Sequence, residues 1–64
     1  MFKINVESLF IDDYYDSIYW ARENFGEEEF YKSEHIDRWC YNGNDFYFKN
    51  KNDAMLFKLI WGGI

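Results

Sequence analysis

The chain opens with an alternation of apolar and polar residues. Phe2, Ile4 and Val6 are separated by single polar residues. Since successive side chains of a strand point to opposite faces, this pattern predicts a first strand over about residues 2 to 7, with one buried face.

The next segment changes to the spacing of a helix. Apolar residues recur at intervals of three and four, which at about 100° per residue places them in one stripe. Asp12 and Asp13 suit the start of this helix, where carboxylates cap free N–H groups, and Gly26 suits its end after Phe25. The predicted core stripe consists of Ile11, Tyr14, Ile18, Ala21 and Phe25.

The opposite side of this helix combines carboxylates, including Asp12, with Trp20. A tryptophan ringed by carboxylates suits an Arg- or Lys-bearing partner, because charge steering and cation–π contact act together. Tyr15 and Tyr19 flank the stripe, and their phenols can edge the same surface. The alternatives for Trp20 are packing in a homodimer, packing under residues 8 to 10, or isolated exposure. The predicted partner-binding residues are Asp13, Asp16, Tyr19, Trp20 and Glu23.

A hairpin is predicted at Asn42-Gly43, because both residue types tolerate the positive φ of a type I′ turn. A two-residue loop there pairs Tyr41 with Asn44 and continues away from the turn in that register. One face then carries Trp39, Phe46 and Phe48 and is assigned to the core. The other face pairs Cys40 with Asp45, Arg38 with Tyr47, and Ile36 with Lys49.

A second helix is predicted to begin at Asn50, with Asp53 three residues later as in a capping box, and to end at Gly62 with Ile64 folding back. The alternative is a strand, since apolar and polar residues also alternate near Lys58. The helix is preferred, and its apolar side consists of Ala54, Phe57, Ile60 and Trp61.

The predicted order is β-α-β-β-α, an α+β fold in a single domain over residues 1 to 64. A right-handed crossover and a tight hairpin place the third strand in the middle of a three-stranded antiparallel or mixed sheet. Both helices then cover one face, in a truncated ferredoxin-like arrangement. The far face of the sheet is expected to be open.

Composition narrows the class of protein further. The single Cys40 allows no internal disulfide, which favours a reducing cytoplasm. No leader-like segment or membrane-length apolar run occurs, so a soluble cytoplasmic protein is expected. Residues 1 to 29 hold eight acids against Lys3 and Arg22, a net charge of −6, and the remainder holds four acids against five bases, or +1. This acidity favours basic protein partners over nucleic acid or membrane surfaces.

No catalytic residue, cofactor or metal site is predicted. Cys40 and His35 are a candidate nucleophile and base, but an odd separation on one strand places them on opposite faces. Glu34, Asp37 and Asp45, with His35, are ligand types without the spacing of a metal site.

A small basic and aromatic surface is predicted on the outer sheet face. It is formed by Arg38 opposite Tyr47, with Lys49 close by. Aromatic side chains on such a face can stack a nucleotide base, so sequestration of a signalling nucleotide is an alternative function. A cross-strand pair that stabilises the hairpin explains the same residues.

The C-terminal segment FYFKNKNDAMLFKLIWGG, residues 46 to 63, resembles the ends of small uncharacterised proteins of tailed bacteriophages. Such proteins are short, acidic and aromatic-rich and lack enzymatic motifs. The resemblance implies a phage-encoded inhibitor of a host protein or a host-defence protein, in the host cytoplasm. It assigns no functional residue, because the matching pattern is structural.

The prediction is therefore a non-enzymatic binding protein that contacts a host protein with a basic surface. The alternatives are a self-assembling homodimer, a nucleotide-sequestering protein, and a nucleic-acid mimic whose carboxylates replace phosphates. Neither direct nucleic-acid binding nor membrane binding is expected.

Overall fold

The computed structural model describes residues 1–30 and 36–62. Within them the element order is β-α-β-β-α, and the predicted α+β fold is confirmed. The alternative strand near Lys58 is wrong, because the chain stays helical there. The elements are β1 (Phe2–Asn5), α1 (Ile11–Phe25), β2 (Trp39–Asn42), β3 (Asp45–Phe48), α2 (Lys51–Phe57) and a π-helical extension (Lys58–Gly62).

The three strands form one antiparallel sheet in the order β1-β3-β2. The central place of β3 is confirmed. It pairs Phe48 with both Phe2 and Trp39, and Tyr47 with both Lys3 and Cys40. The two edge strands are therefore β1 and β2, and each is stabilised through β3.

The predicted hairpin exists, but its loop is displaced by one residue. The loop consists of Gly43 and Asn44, and Asn42 pairs with Asp45. Gly43 has a φ of 60°, whereas no described non-glycine residue has a positive φ. A type I′ turn at Asn42-Gly43 needs a positive φ at both positions, whereas a type II′ turn needs it only at the first. The chain places glycine at that position, so the predicted pairing of Tyr41 with Asn44 is wrong.

Both helices pack on one face of the sheet, as predicted. The ring of Phe25 from α1 lies 5.5 Å from that of Phe48, and the ring of Phe57 from α2 lies 4.7 Å from that of Phe46. The indole N–H of Trp39 donates to the Gly26 carbonyl at 2.8 Å, which joins β2 to the end of α1. The core cluster comprises Val6, Ile18, Ala21, Phe25, Trp39, Phe46, Phe48, Ala54 and Phe57.

The core stripe of α1 differs from the predicted one at its first turn. Ile11 is 69% exposed, so its assignment to the core is wrong. Ser17 is buried instead, and its hydroxyl donates to the Tyr14 carbonyl at 2.6 Å. This bond satisfies a polar group that the core would otherwise leave without a partner. The first turn of α1 therefore lies beyond the part of the helix that packs on the core.

Of the predicted helix caps, the glycine at the end of α1 is present, and the side-chain caps at the two helix starts are absent. Gly26 ends α1 with a φ of 88°, as expected for a glycine stop. No side-chain cap bond occurs at the start of either helix, so the predicted capping box at Asn50 is wrong. Asp53 instead accepts a hydrogen bond from Arg38 at 3.1 Å. The start of α2 is thus tied to the residue that precedes β2.

The far face of the sheet is not uniformly open. Cys40 points to that face and is fully buried, while Tyr47 is half-buried. Glu29 lies beside Cys40 in an isolated parallel bridge, with its N–H donating to the Trp39 carbonyl at 3.1 Å. The chain that follows α1 therefore covers the β2 edge. No helix in the described part of the chain is long and apolar enough to cross a membrane.

Candidate protein-binding surface

Trp20 does not lie on the solvent face of α1. Its ring is 5.6 Å from the ring of Phe25, 6.2 Å from that of Phe57 and 6.4 Å from that of Trp61. The side chain is half-buried and packs against the core between α1 and the C-terminal helix. The predicted exposure of Trp20 is wrong, because α2 and its extension pack on the side of α1 where Trp20 lies.

The solvent side of α1 carries two tyrosines among carboxylates. Tyr15 and Tyr19, one turn apart, are 52% and 58% exposed. Three acidic residues share their side of the helix by the spacing of three and four, and all three are exposed. We call this surface the outer face of α1. It consists of Asp12, Tyr15, Asp16, Tyr19 and Glu23.

Three of the predicted partner-binding residues, Asp16, Tyr19 and Glu23, come together on this face. Asp13 is exposed but lies on the Trp20 side, seven residues before it. Asp12 and Tyr15 complete the face without having been assigned to the binding site. Asp12 lies four residues before Asp16, and Tyr15 lies four residues before Tyr19 and eight before Glu23. These separations follow the helical period, so the spacing alone could have identified both residues.

The carboxylates of the outer face are not neutralised by the described part of the chain. No hydrogen bond or ion pair joins the side chains of Asp12, Asp16 or Glu23 to another described residue. Each charge is therefore available to an external cation. Carboxylates spaced along one side of a helix produce a negative potential that attracts basic surfaces.

Arg22, the one basic residue of α1, is already paired. Its guanidinium donates to both oxygens of Glu28, at 2.6 and 2.7 Å, and lies 5.5 Å from the centre of the Tyr19 ring. The Glu28 hydrogen bond raises the pKa of Arg22, and the reciprocal bond lowers the pKa of Glu28. The contact with Arg22 also places the Tyr19 ring against the helix surface, which reduces the freedom that binding must remove.

The outer face is held on a rigid support. On the opposite side of α1, Ile18, Ala21 and Phe25 are buried in the core. The Tyr14 hydroxyl donates to the Gly43 carbonyl, which ties α1 to the hairpin turn, and burial raises the pKa of this phenol. Side chains on a packed helix keep their relative positions, so the spacing of the outer face is fixed before any partner binds.

The other candidate sites do not assemble. Arg38 does not lie opposite Tyr47, because the register places Cys40 there. The Arg38 guanidinium instead pairs with Asp53 and lies 5.3 Å from the centre of the Phe25 ring. The predicted nucleotide surface therefore lacks the guanidinium of Arg38. Burial, assisted by Glu29, raises the pKa of the Cys40 thiol, which disfavours the reactive thiolate.

Two residues of the earlier candidate sites, Glu34 and His35, lie outside the described residues. Within residues 1–30 and 36–62, no three His, Cys, Asp or Glu side chains are grouped to hold a metal ion. An open cleft of about 620 Å³ lies between residues 27–30 and 41–43. Two of its carboxylates are engaged, since Glu28 binds Arg22 and Glu29 accepts the backbone N–H groups of Asp37 and Arg38.

Comparison with protein-family models, with curated proteins and with solved structures finds no significant match to this chain. A functional assignment therefore depends on the chain's own surface chemistry.

Proposed function

We propose that the chain is a non-enzymatic binding protein that contacts a basic protein surface through the outer face of α1. The observation that carries this proposal is the pair of half-exposed tyrosines, Tyr15 and Tyr19, on one rigid helix face, flanked by carboxylates that have no partner among the described residues. Exposed tyrosine is enriched at protein interfaces because a large ring is fixed by two torsions.

The two kinds of residue have different roles in binding. The tyrosine rings contribute apolar area and hydroxyl groups at the centre of the contact, where desolvation makes them strong anchors. Asp12, Asp16 and Glu23 attract lysine and arginine side chains and increase the association rate, an effect that salt weakens. A partner with a basic, concave or flat surface fits both requirements.

The biological role that we propose is inhibition of a host protein or a host-defence protein. An inhibitor of this kind acts by covering a surface of its target and needs no reactive group. The resemblance of residues 46 to 63 to phage proteins favours this setting. The acidic face supplies the contact chemistry, and the sheet with its two helices supplies the scaffold.

The experiment begins with identification of one partner and ends with a purified pair. Tagged wild-type protein is used to capture proteins from bacterial lysate, and the dominant captured protein is purified. Its affinity for the wild type and for the Tyr15→Ala/Tyr19→Ala variant is then measured by calorimetry. If these rings are interface anchors, the loss is about 2 kcal/mol or more, roughly 30-fold in Kd.

A matched pair of charge variants separates a specific face from general acidity. Asp16→Lys/Glu23→Lys changes the outer face, and Glu7→Lys/Glu27→Lys makes the same change in net charge at exposed residues elsewhere. We expect the first variant to lose binding and the second to keep it. Equal loss in both variants would contradict the proposal, because net charge alone would then determine binding.

A further inference from the structure

The two edges of the sheet differ in whether another segment of the described chain covers them. At the β2 edge, the Glu29 N–H donates to the Trp39 carbonyl, and the Glu29 carboxylate accepts the N–H of Arg38 at 2.7 Å. At the opposite edge, β1 pairs with β3 alone. An uncovered edge strand presents free N–H and C=O groups that can pair with another strand.

The pairing with β3 determines which backbone groups of β1 point outward. The Val6 N–H donates to the Asn44 carbonyl at 2.9 Å, so Val6 faces β3 in a hydrogen-bonded pair. Hydrogen-bonded and non-hydrogen-bonded pairs alternate along an antiparallel ladder. Ile4 therefore also faces β3, and the backbone groups of Lys3 and Asn5 point to the open edge. No described residue bonds to these outward groups.

We propose that β1 pairs with β1 of a second copy, antiparallel, about a two-fold axis at Ile4. In this register Lys3 lies opposite Asn5 of the second copy, and Asn5 lies opposite Lys3 of the second copy. The two residues of each pair exchange both N–H···O bonds, so all outward groups of the strand find partners. The two sheets join into one continuous sheet.

The side chains of β1 suit this self-pairing. Lys3 faces a neutral asparagine and not a second lysine, which avoids like charges in direct opposition. The Asn5 side chain donates to Asp45 at 2.9 Å and accepts the Glu7 N–H at 3.0 Å. Because these bonds hold the amide within its own copy, the Asn5 backbone remains available to the second copy.

Apolar side chains beside the seam favour burial. Phe2 is 42% exposed, and in the proposed register it lies beside the seam, opposite the position of the buried Val6 of the second copy. The C-terminal helix packs over β1 so closely that a Cβ on Gly62 would lie 3.3 Å from Ile4 Cγ2. Exposed Met55 and Leu59 are carried by this same helix. Exposed apolar side chains therefore lie both on β1 and on the helix that packs over it.

A second copy is favoured over a foreign strand because the pairing is self-complementary. A two-fold axis brings identical open edges together and satisfies both at once. The contact is short, so it falls below about 1,200 Å² of total buried area, the class of weak and transient associations. Each copy carries a net charge of −5, and the two copies therefore repel at long range. Added salt should screen this repulsion and strengthen the dimer.

Sedimentation equilibrium and disulfide trapping test the register. We expect a monomer–dimer equilibrium between about 1 μM and 1 mM, the range appropriate to a weak contact. An Ile4→Cys variant should form a covalent dimer on oxidation, because facing Cβ atoms in a non-hydrogen-bonded pair lie about 4.5 to 5.5 Å apart. Phe2→Cys is the control: its copies are separated along the strands, so it should not cross-link. The native Cys40 is buried and is present in both variants, so it does not distinguish them.

A backbone variant tests the edge independently of cysteine chemistry. Lys3→Pro removes an outward N–H and leaves the bonds to β3 intact, whereas Lys3→Ala keeps that N–H. We expect at least a tenfold weaker dimer for the proline variant alone, with both far-ultraviolet spectra unchanged. If Lys3→Pro unfolds the chain, the disulfide cross-linking of Ile4→Cys decides whether β1 forms the dimer contact.

The proposal is overturned by a monomer at every concentration without trapping at Ile4. It is also overturned by a dimer in which Ile4→Cys does not cross-link, since another surface would then hold the copies together.

Discussion

Replacing Trp20 with alanine tests whether this residue belongs to the fold or to a binding surface. The indole is half-buried, with three aromatic rings within 6.4 Å of its centre. Complete burial of a tryptophan corresponds to a loss of about 3 to 5 kcal/mol on truncation, so about 2 to 3 kcal/mol is expected here. A chain of 64 residues has a total stability of roughly 3 to 10 kcal/mol, so the loss is a large fraction of it.

The assay is urea denaturation followed by circular dichroism, because removal of a tryptophan alters fluorescence directly. With a slope of about 1 kcal/mol per molar urea, the midpoint should fall by about 2 to 3 M. Tyr19→Ala is the matched control, since Tyr19 is adjacent in sequence and exposed, and its midpoint should change by about 0.5 M or less. A Trp20→Ala variant that keeps wild-type stability and loses partner binding would refute the packed position of Trp20.

Three further predictions concern other contacts. Trp61→Phe removes a buried indole N–H that has no hydrogen-bond partner among residues 1–30 and 36–62, so the stability of this variant should stay within about 1 kcal/mol of wild type or rise. Trp39→Phe breaks a satisfied hydrogen bond and should cost at least about 1 kcal/mol; both values are measured by urea denaturation. The hydrogen bond with Arg22 lowers the pKa of Glu28 below its ordinary 4.5. The contribution of Glu28 to the free energy of unfolding is therefore complete above about pH 4.5 and is lost as the pH falls through the lowered pKa. Glu28→Gln should remove this acid loss, as measured by urea denaturation at a series of pH values. Gly43→Ala forces alanine to a φ of 60° and should destabilise by about 1 kcal/mol in thermal or urea unfolding, while Asn44→Ala should have little effect.

The hairpin shows why the faces of the sheet were predictable and the register was not. The dipeptide Asn42-Gly43 identifies the turn, but either Asn42-Gly43 or Gly43-Asn44 can form the loop. Moving a two-residue loop by one position changes each pairing by two residues. Side chains alternate with a period of two, so Trp39, Phe46 and Phe48 share a face in both registers. The core face is therefore insensitive to the error.

The binding surface was only partly predictable because helical phase does not specify where a neighbouring helix packs. The helical phase places Trp20 away from the core stripe that ends in Phe25. The indole is nevertheless large enough to reach a neighbouring helix, which a smaller side chain at the same position would not do. The position of α2 depends on contacts distant in sequence, such as the Phe57 ring against Phe46. The carboxylates have no such contacts, and their exposure follows from phase alone.

The two proposed surfaces are on different elements and can be occupied together. The outer face lies on α1, which the Tyr14 hydroxyl ties to the turn at Gly43, whereas the proposed seam lies along β1, under α2 and its extension. A two-fold dimer through Ile4 would therefore keep both copies of the outer face accessible. Two linked faces bind a repeating or dimeric target with an effective concentration that a monomer does not have. Weak self-association and modest charge attraction would then combine into tight binding of such a target without either contact being strong.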